Sequence, residues 1–252
     1  MKHAVISGGN GGLGRALAAG LQANGWHTWL LDLDTHGLET NPQQTPLKCD
    51  LTDAQQLAIA MQRIRTEAPS VDLVIYNAGV THIGAFADLN EAALRRLFEV
   101  NFFAATNMAC ALLQPVRLSQ GTHLVISSVA GFAPLHHRTA YAASKHALEG
   151  FFSSLRSEEA PYGVTILIAA PSFVSTNTGF APEAANALTR PGSASDGIDS
   201  MTPEAAARII LRGVARQTAF IPVGRIARLS HLIQRLSPRL FRYLMQRNIQ
   251  GK

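Results

Sequence analysis

Tyr141 and Lys145 stand four positions apart in the run Tyr141-Ala142-Ala143-Ser144-Lys145. If that run is helical, the phenol and the ammonium share one face. A phenol normally loses its proton near pH 10 and is a poor base at neutrality. A neighbouring ammonium favours the phenolate, and such tuning lets a tyrosine give or take a proton near physiological pH. By itself the pair is equally an ordinary surface contact, but it does not stand by itself. Ser128 lies thirteen residues earlier, in Val125-Ile126-Ser127-Ser128-Val129-Ala130-Gly131, at the carboxyl end of a predicted strand. Asn77-Ala78-Gly79 follows another predicted strand, and Asn101 falls within the next predicted helix.

A second chemistry-bearing run sits near the N-terminus, where Ser7-Gly8-Gly9-Asn10-Gly11-Gly12-Leu13-Gly14 joins a predicted strand to a predicted helix. Glycines in that place allow a tight turn and close approach of backbone to a pyrophosphate, with a helix N-terminus aimed at the phosphate charge. The strand before, the helix after and an acid about 20 residues on make this a dinucleotide-binding pattern rather than a chance cluster. The acid is Asp32, ending Trp29-Leu30-Leu31-Asp32. Its carboxylate can accept hydrogen bonds from both ribose hydroxyls of an adenosine, and it would repel the 2′-phosphate of NADP. Like charges about 4 Å apart cost on the order of 4 kcal/mol at an effective dielectric near 20, less where solvent screens them. No Arg or Lys lies in the glycine loop or directly after Asp32. NAD is therefore favoured over NADP, unless Asp32 is only a turn residue.

These groups need a scaffold, and the rest of the chain supplies one. Predicted strands are His3 to Ser7, His27 to Asp32, Pro46 to Cys49, Val71 to Tyr76, Thr122 to Ser127, Val164 to Ala170 and Ala219 to Pro222. Helical spacing of apolar residues runs through Gly12 to Asn24, Asp53 to Glu67, Glu91 to Leu113 and Ala140 to Glu159. Strands that are apolar throughout, alternating with helices, predict an α/β fold: one doubly wound, mostly parallel seven-stranded sheet covered on both faces. Thr178 to Met201 breaks the rhythm with Ala, Gly, Ser, Pro and Asn, after the sixth strand at the sheet's carboxyl edge. Ligands bind at that edge, so the stretch reads as a substrate lid, with an irregular surface loop as the plainer alternative.

With these residues in view, the chain resembles the short-chain dehydrogenase/reductase family, in its roughly 250-residue branch, from residue 3 to about residue 176. The resemblance implies a Rossmann-type domain and hydride transfer between a nicotinamide cofactor and a secondary alcohol or its ketone. Ser7, Gly8, Gly12 and Gly14 occupy the places of the family's T-G-x-x-x-G-x-G turn, with Ser7 standing for Thr. Asp50, in Cys49-Asp50-Leu51-Thr52, matches the acid that contacts the adenine ring. Asn77, Ala78 and Gly79 match the element lining the cofactor site, and Asn101, Ser128, Tyr141 and Lys145 match the catalytic tetrad. By the same resemblance Asn10, Leu13, Leu51, Pro171, Val174 and Thr176 border the cofactor. Ser128 would hold the reacting oxygen and Tyr141 would act as general acid/base. Lys145 would bind the nicotinamide ribose and lower the pKa of Tyr141. Asn101 would distort its helix and seat a water linking Lys145 to solvent. Pro171-Ser172 departs from the usual Pro-Gly. The family also implies a homodimer or homotetramer.

Composition constrains the remaining choices. The 252 residues suit one large α/β domain; 47% are hydrophobic and only 15% charged, as in a globular rather than a disordered protein. The net charge of +5 is local: residues 225–252 hold seven of the 22 Arg and Lys and no acid, leaving 15 basic against 17 acidic residues, a net of −2, elsewhere. That division gives a catalytic domain over 1–224 and a basic amphipathic helical extension over 225–252, with Ser237-Pro238 between two helices. The extension packs on the body or another subunit, or lies on an anionic membrane; nucleic acid is not expected. Cys49 and Cys110 are expected as two buried thiols, with no metal site anywhere. A short apolar run after Met1-Lys2 is too short for a signal peptide, and no stretch makes a membrane span, so a cytoplasmic protein is expected. His136 and His137 read as loop histidines near the substrate mouth, while Phe132, Phe173 and Phe180 line either an apolar pocket or core. Outside catalysis, two alternatives stand: an NAD(H)-binding regulatory or scaffold protein, and a membrane-surface enzyme acting on lipid-like or steroid-like alcohols.

Overall fold

The structure is a computed structural model and describes residues 1–176, 188–192 and 200–250. Nine strands are described: β1 (His3–Ser7), β2 (His27–Asp32), β3 (Gln44–Lys48), β4 (Leu73–Tyr76), β5 (Thr122–Ile126), β6 (Thr165–Pro171), β7 (Phe173–Val174), β8 (Ser200–Met201) and β9 (Phe220–Val223). Seven of them form one sheet in the order β3-β2-β1-β4-β5-β6-β9, every neighbouring pair parallel. The doubly wound parallel sheet is thus present with the seven predicted strands, the first two as predicted and the ends of the others moved by at most two residues. β7 and β8 pair separately.

Alternation along the strands explains why helices are needed on both sides. Val5, Trp29, Val74, Val125 and Ile168 point to a face covered by α2 (Ala54–Glu67), α4 (Ala104–Ser119) and α5 (Thr139–Glu159). Ile6, Leu30, Ile75, Leu124 and Leu167 point to the other, covered by α1 (Gly12–Gln22) and α6 (Pro203–Ala215). Strand order reverses between β1 and β4, so their carboxyl ends open the crevice in which such sheets bind ligands.

The predicted single helix from Glu91 to Leu113 is interrupted. α3 (Glu91–Phe98) gives way to a π-turn over Glu99–Phe103 before α4 begins. Asn101 sits in that turn, almost fully buried, with both side-chain groups committed to the backbone of Val80. After β9 come α7 (Arg225–Leu236) and α8 (Pro238–Gln250), split at Ser237, whose hydroxyl accepts the N–H of Leu240 at 3.3 Å. Among the described residues no helix is long and apolar enough to cross a membrane.

One expectation changes. Cys49 is buried as expected, but Cys110 is exposed on α4; both are free thiols. Most of the 178–201 stretch, with Phe180, lies outside the described residues. Of what is described, Thr189 exchanges two backbone hydrogen bonds with Thr81, at 2.7 and 2.9 Å.

Candidate active site

A cavity of about 400 Å³ opens at the carboxyl ends of the central strands. One end is built by the turn after β1. Gly8 has φ +64°, in the left-handed region, and a Cβ there would stand 2.9 Å from Ala78 Cα. Gly14 does not reach the cavity; a Cβ on it would lie 2.2 Å from the Gly8 carbonyl oxygen, so it lets α1 approach the turn. Ser7 is also behind the wall. Its hydroxyl accepts the N–H groups of Asn77 and Ala78 at 3.0 and 3.1 Å, tying β1 to the chain after β4. The Asn77 amide closes the join by donating to the carbonyls of Ser7 and Gly8.

Gly8, Gly12, Leu13, Asp32, Asp50 and Leu51 line this end. No side chain caps α1 and no acid stands in its first turn, which leaves its N-terminal N–H groups and partial positive charge facing the cavity. The Asp32 carboxylate accepts the Asn10 N–H at 2.9 Å, so Asn10 positions the acid without lining the cavity. The Asp50 carboxylate accepts from the Thr52 backbone and hydroxyl, and Arg96 reaches it at 3.3 Å. Its pKa is lowered: those hydrogen bonds and the Arg96 charge together outweigh the upward push of burial. These glycines, the open helix terminus and the acid suit a dinucleotide: the turn would hold the pyrophosphate and Asp32 the adenosine ribose.

The other end carries Ser128, Tyr141 and Lys145, with Asn77, Ala78 and Gly79 between the two. Pro171, Val174 and Thr176 also line the cavity, Thr176 against Gly12 of the turn. Ser128 is extended and caps a short turn, its hydroxyl accepting the Ala130 N–H at 3.2 Å. Tyr141 and Lys145 project from the first turns of α5, both buried. Lys145 Nζ donates to the Ile126 carbonyl at 2.8 Å and lies 5.8 Å from the Tyr141 ring centroid. Burial lowers the Lys145 pKa to about 8, against a smaller upward pull from Glu149.

Lys145 is not among the groups that lower the Tyr141 pKa in this structure. Burial raises the phenol pKa, and the groups that pull it back are Ser128, by a hydrogen bond, and the Arg138 charge. The Lys145 ammonium is turned to a carbonyl instead. Asn101 does not line the cavity; besides Val80 it donates to the Ser144 hydroxyl at 2.9 Å, which in turn donates to the Tyr141 carbonyl at 2.8 Å. It therefore orders the π-turn and the start of α5 from behind.

Several residues here carry no signal in the linear sequence. Arg96, Arg138 and Arg190 bring three cations to the cavity wall from separate segments. Val80, Leu135 and Leu188 pack against the apolar cluster that contains Tyr141, and all three line the cavity. Glu149, one turn beyond Lys145, accepts the Ser127 hydroxyl at 2.5 Å; burial raises its pKa. Of the aromatic candidates, Phe173 lines the cavity, whereas Phe132 packs edge-on against Phe220 and His231. His136 and His137 stack on each other 3.7 Å apart, outside the cavity wall.

Comparison with known proteins agrees with this geometry. Residues 2–185 match the family model described as short chain dehydrogenase. The chain is 31% identical over 262 residues to dehydrogenase/reductase SDR family member 7B of Xenopus laevis, covering 96% of this chain and 80% of that protein. Among solved structures, a short chain dehydrogenase from Burkholderia cenocepacia in complex with NADP superposes with a TM-score of 0.84 at 20% identity, over 97% of this chain and 99% of that one. A 4-hydroxyisoleucine dehydrogenase complexed with NADH does so with a TM-score of 0.65 at 25% identity, over 70% of this chain and 77% of that one.

Proposed function

The chain belongs to the short-chain dehydrogenase/reductase family of oxidoreductases, and we propose that it interconverts a secondary alcohol and its ketone, with NAD preferred to NADP. The observation that carries this reading is the convergence of Ser128, Tyr141 and Lys145 on one cavity whose far end holds the glycine turn and Asp32. When bound, a nicotinamide dinucleotide supplies the hydride acceptor or donor, the chemistry that the side chains lack.

Each chain residue then has a defined task. The hydroxyl of Ser128 hydrogen-bonds the reacting oxygen and fixes it beside the phenol. Tyr141 takes the alcohol proton in oxidation and returns it in reduction. Lys145, held by the Ile126 carbonyl, presents a cation to the nicotinamide ribose and to a phenolate as it forms. Asn101 positions α5, and Ser7 and Gly14 position the cofactor turn. Val80, Leu135 and Leu188 exclude water from the proton-transfer end and favour an apolar substituent on the substrate. The preference for NAD rests on Asp32, whose carboxylate would face a 2′-phosphate. Association into a homodimer or homotetramer belongs to the same proposal.

The decisive experiment titrates NADH and NADPH separately, followed by fluorescence, and then screens secondary alcohols with NAD. Tighter NADH binding with turnover of an apolar secondary alcohol is expected. Binding of neither dinucleotide would sink the reading.

A further inference from the structure

α7 is an amphipathic helix whose packing on the body leaves its leucines outside. The face it packs on the body carries Ala227 and His231: Ala227 is fully buried among Val129, Ala133 and Phe241, and the His231 ring stacks on Phe220 at 4.3 Å. Ile233 packs against the same cluster, while the leucines of the helix point away. Leu229, Leu232 and Leu236 follow one another at helical spacing and are 54%, 55% and 76% exposed. α8 continues the stripe. It buries Phe241 against the body and leaves Leu240, Tyr243 and Leu244 outside. In water, six large apolar side chains along two consecutive helices form an exposed patch of the kind that marks an interaction surface.

The charges beside the stripe indicate what covers it. Arg225, Arg228, Arg235, Arg239 and Arg242 are all exposed on these two helices, and residues 225–252 contain no Asp or Glu. A leucine stripe bordered by arginines suits a lipid surface, where the leucines enter the acyl boundary and the guanidinium groups meet anionic headgroups. A second copy of the chain fits poorly, because a two-fold contact sets this all-basic face against itself. The inner face of the two helices is joined to the active site. Leu135 lines the cavity and packs against the cluster that seats Ala227 and Phe241.

We infer that the outer face of α7 and α8 docks the protein on an anionic lipid bilayer, lying in the interface without crossing it. The docking places the apolar end of the cavity beside the membrane, and it stands whether or not the oxidoreductase reading holds.

The test is co-sedimentation of the full chain with phosphatidylcholine vesicles prepared with and without phosphatidylserine. Binding to the phosphatidylserine vesicles only, with release in molar salt, is expected, because screening there acts within about 3 Å. The double variant Leu232→Glu/Leu236→Glu, at exposed positions, should melt like the wild type and lose vesicle binding. If it fails to fold, Arg235→Gln/Arg239→Gln serves instead and should weaken binding while leaving the apolar stripe intact. A folded wild-type protein that stays in the supernatant with phosphatidylserine vesicles overturns the inference. So does a leucine variant that turns a dimer into a monomer while sedimenting unchanged, which would assign the face to a second copy.

Discussion

The Arg190 guanidinium stands 4.0 Å from the Asp32 carboxylate, and both residues line the cofactor end of the cavity. Asp32 is 9% exposed and Arg190 51%, so solvent screens the cation far more than the anion. The carboxylate also holds the Asn10 N–H and stays fixed in the cleft.

This arrangement sets the expected cofactor preference. The wild type should bind NADH more tightly than NADPH, and Asp32→Ala should narrow the gap by about tenfold or more, the equivalent of roughly 1.4 kcal/mol. Arg190→Ala should widen it, since an unshielded carboxylate repels a 2′-phosphate more strongly. Fluorescence titration of the three proteins measures this, and a wild type that prefers NADPH contradicts the assignment of Asp32.

Tyr141→Phe separates binding from chemistry. Turnover should fall about 10²- to 10⁴-fold, as expected for loss of a general acid/base, while NADH affinity changes little. A variant that turns over at the wild-type rate would remove Tyr141 from the mechanism. One that keeps the full cellular effect of the protein without turnover would favour the regulatory or scaffold reading.

Lys145 gives a stability signature in pH. Its folded pKa, about 8, lies below the 10.5 of an unperturbed lysine, so the unfolded chain binds the extra proton between those values. Burying the ammonium destabilises the fold below about pH 8, and that penalty is relieved as pH rises through 8 towards 10.5. The stability of the wild type relative to Lys145→Met should therefore rise across that window, by on the order of 3 kcal/mol at most. Chemical denaturation at a series of pH values checks it; a difference that is flat or falling would show that the ammonium is not desolvated. Cys49, pushed up to about 11 by burial, acts in the opposite direction but equally in both proteins.

Gly14→Ala tests the turn by the sign of its effect. In the interior of an ordinary helix this change stabilises by roughly 0.5–1 kcal/mol. Here the new methyl would stand 2.2 Å from the Gly8 carbonyl oxygen, so the turn or α1 must shift. A loss of about 1–3 kcal/mol is expected, together with weaker dinucleotide binding. A raised melting temperature would show that α1 is free to move off the turn.

Much of this protein was legible before its fold was. The joins β1-glycine turn-α1 and Tyr141-Lys145 are short-range geometry: strand and helix periods place neighbouring residues without knowledge of anything distant. The seven strands, Asp32 at the end of the second, and the break at Ser237-Pro238 follow from the same local rules. Only the tertiary structure decided what depends on contacts between remote segments. Arg96 meets Asp50 and Arg190 meets Asp32 because segments remote in sequence converge at the carboxyl edge of the sheet. That burial raises the Tyr141 pKa, and that the Lys145 ammonium is turned to the Ile126 carbonyl, could not be read from a four-residue spacing. The basic tail shows the division most clearly. Its periodicity made the tail amphipathic, but which residues would face the body depended on the space beside Val129 and Ala133, which takes Ala227, Ile233 and Phe241 and leaves the leucines of α7 outside.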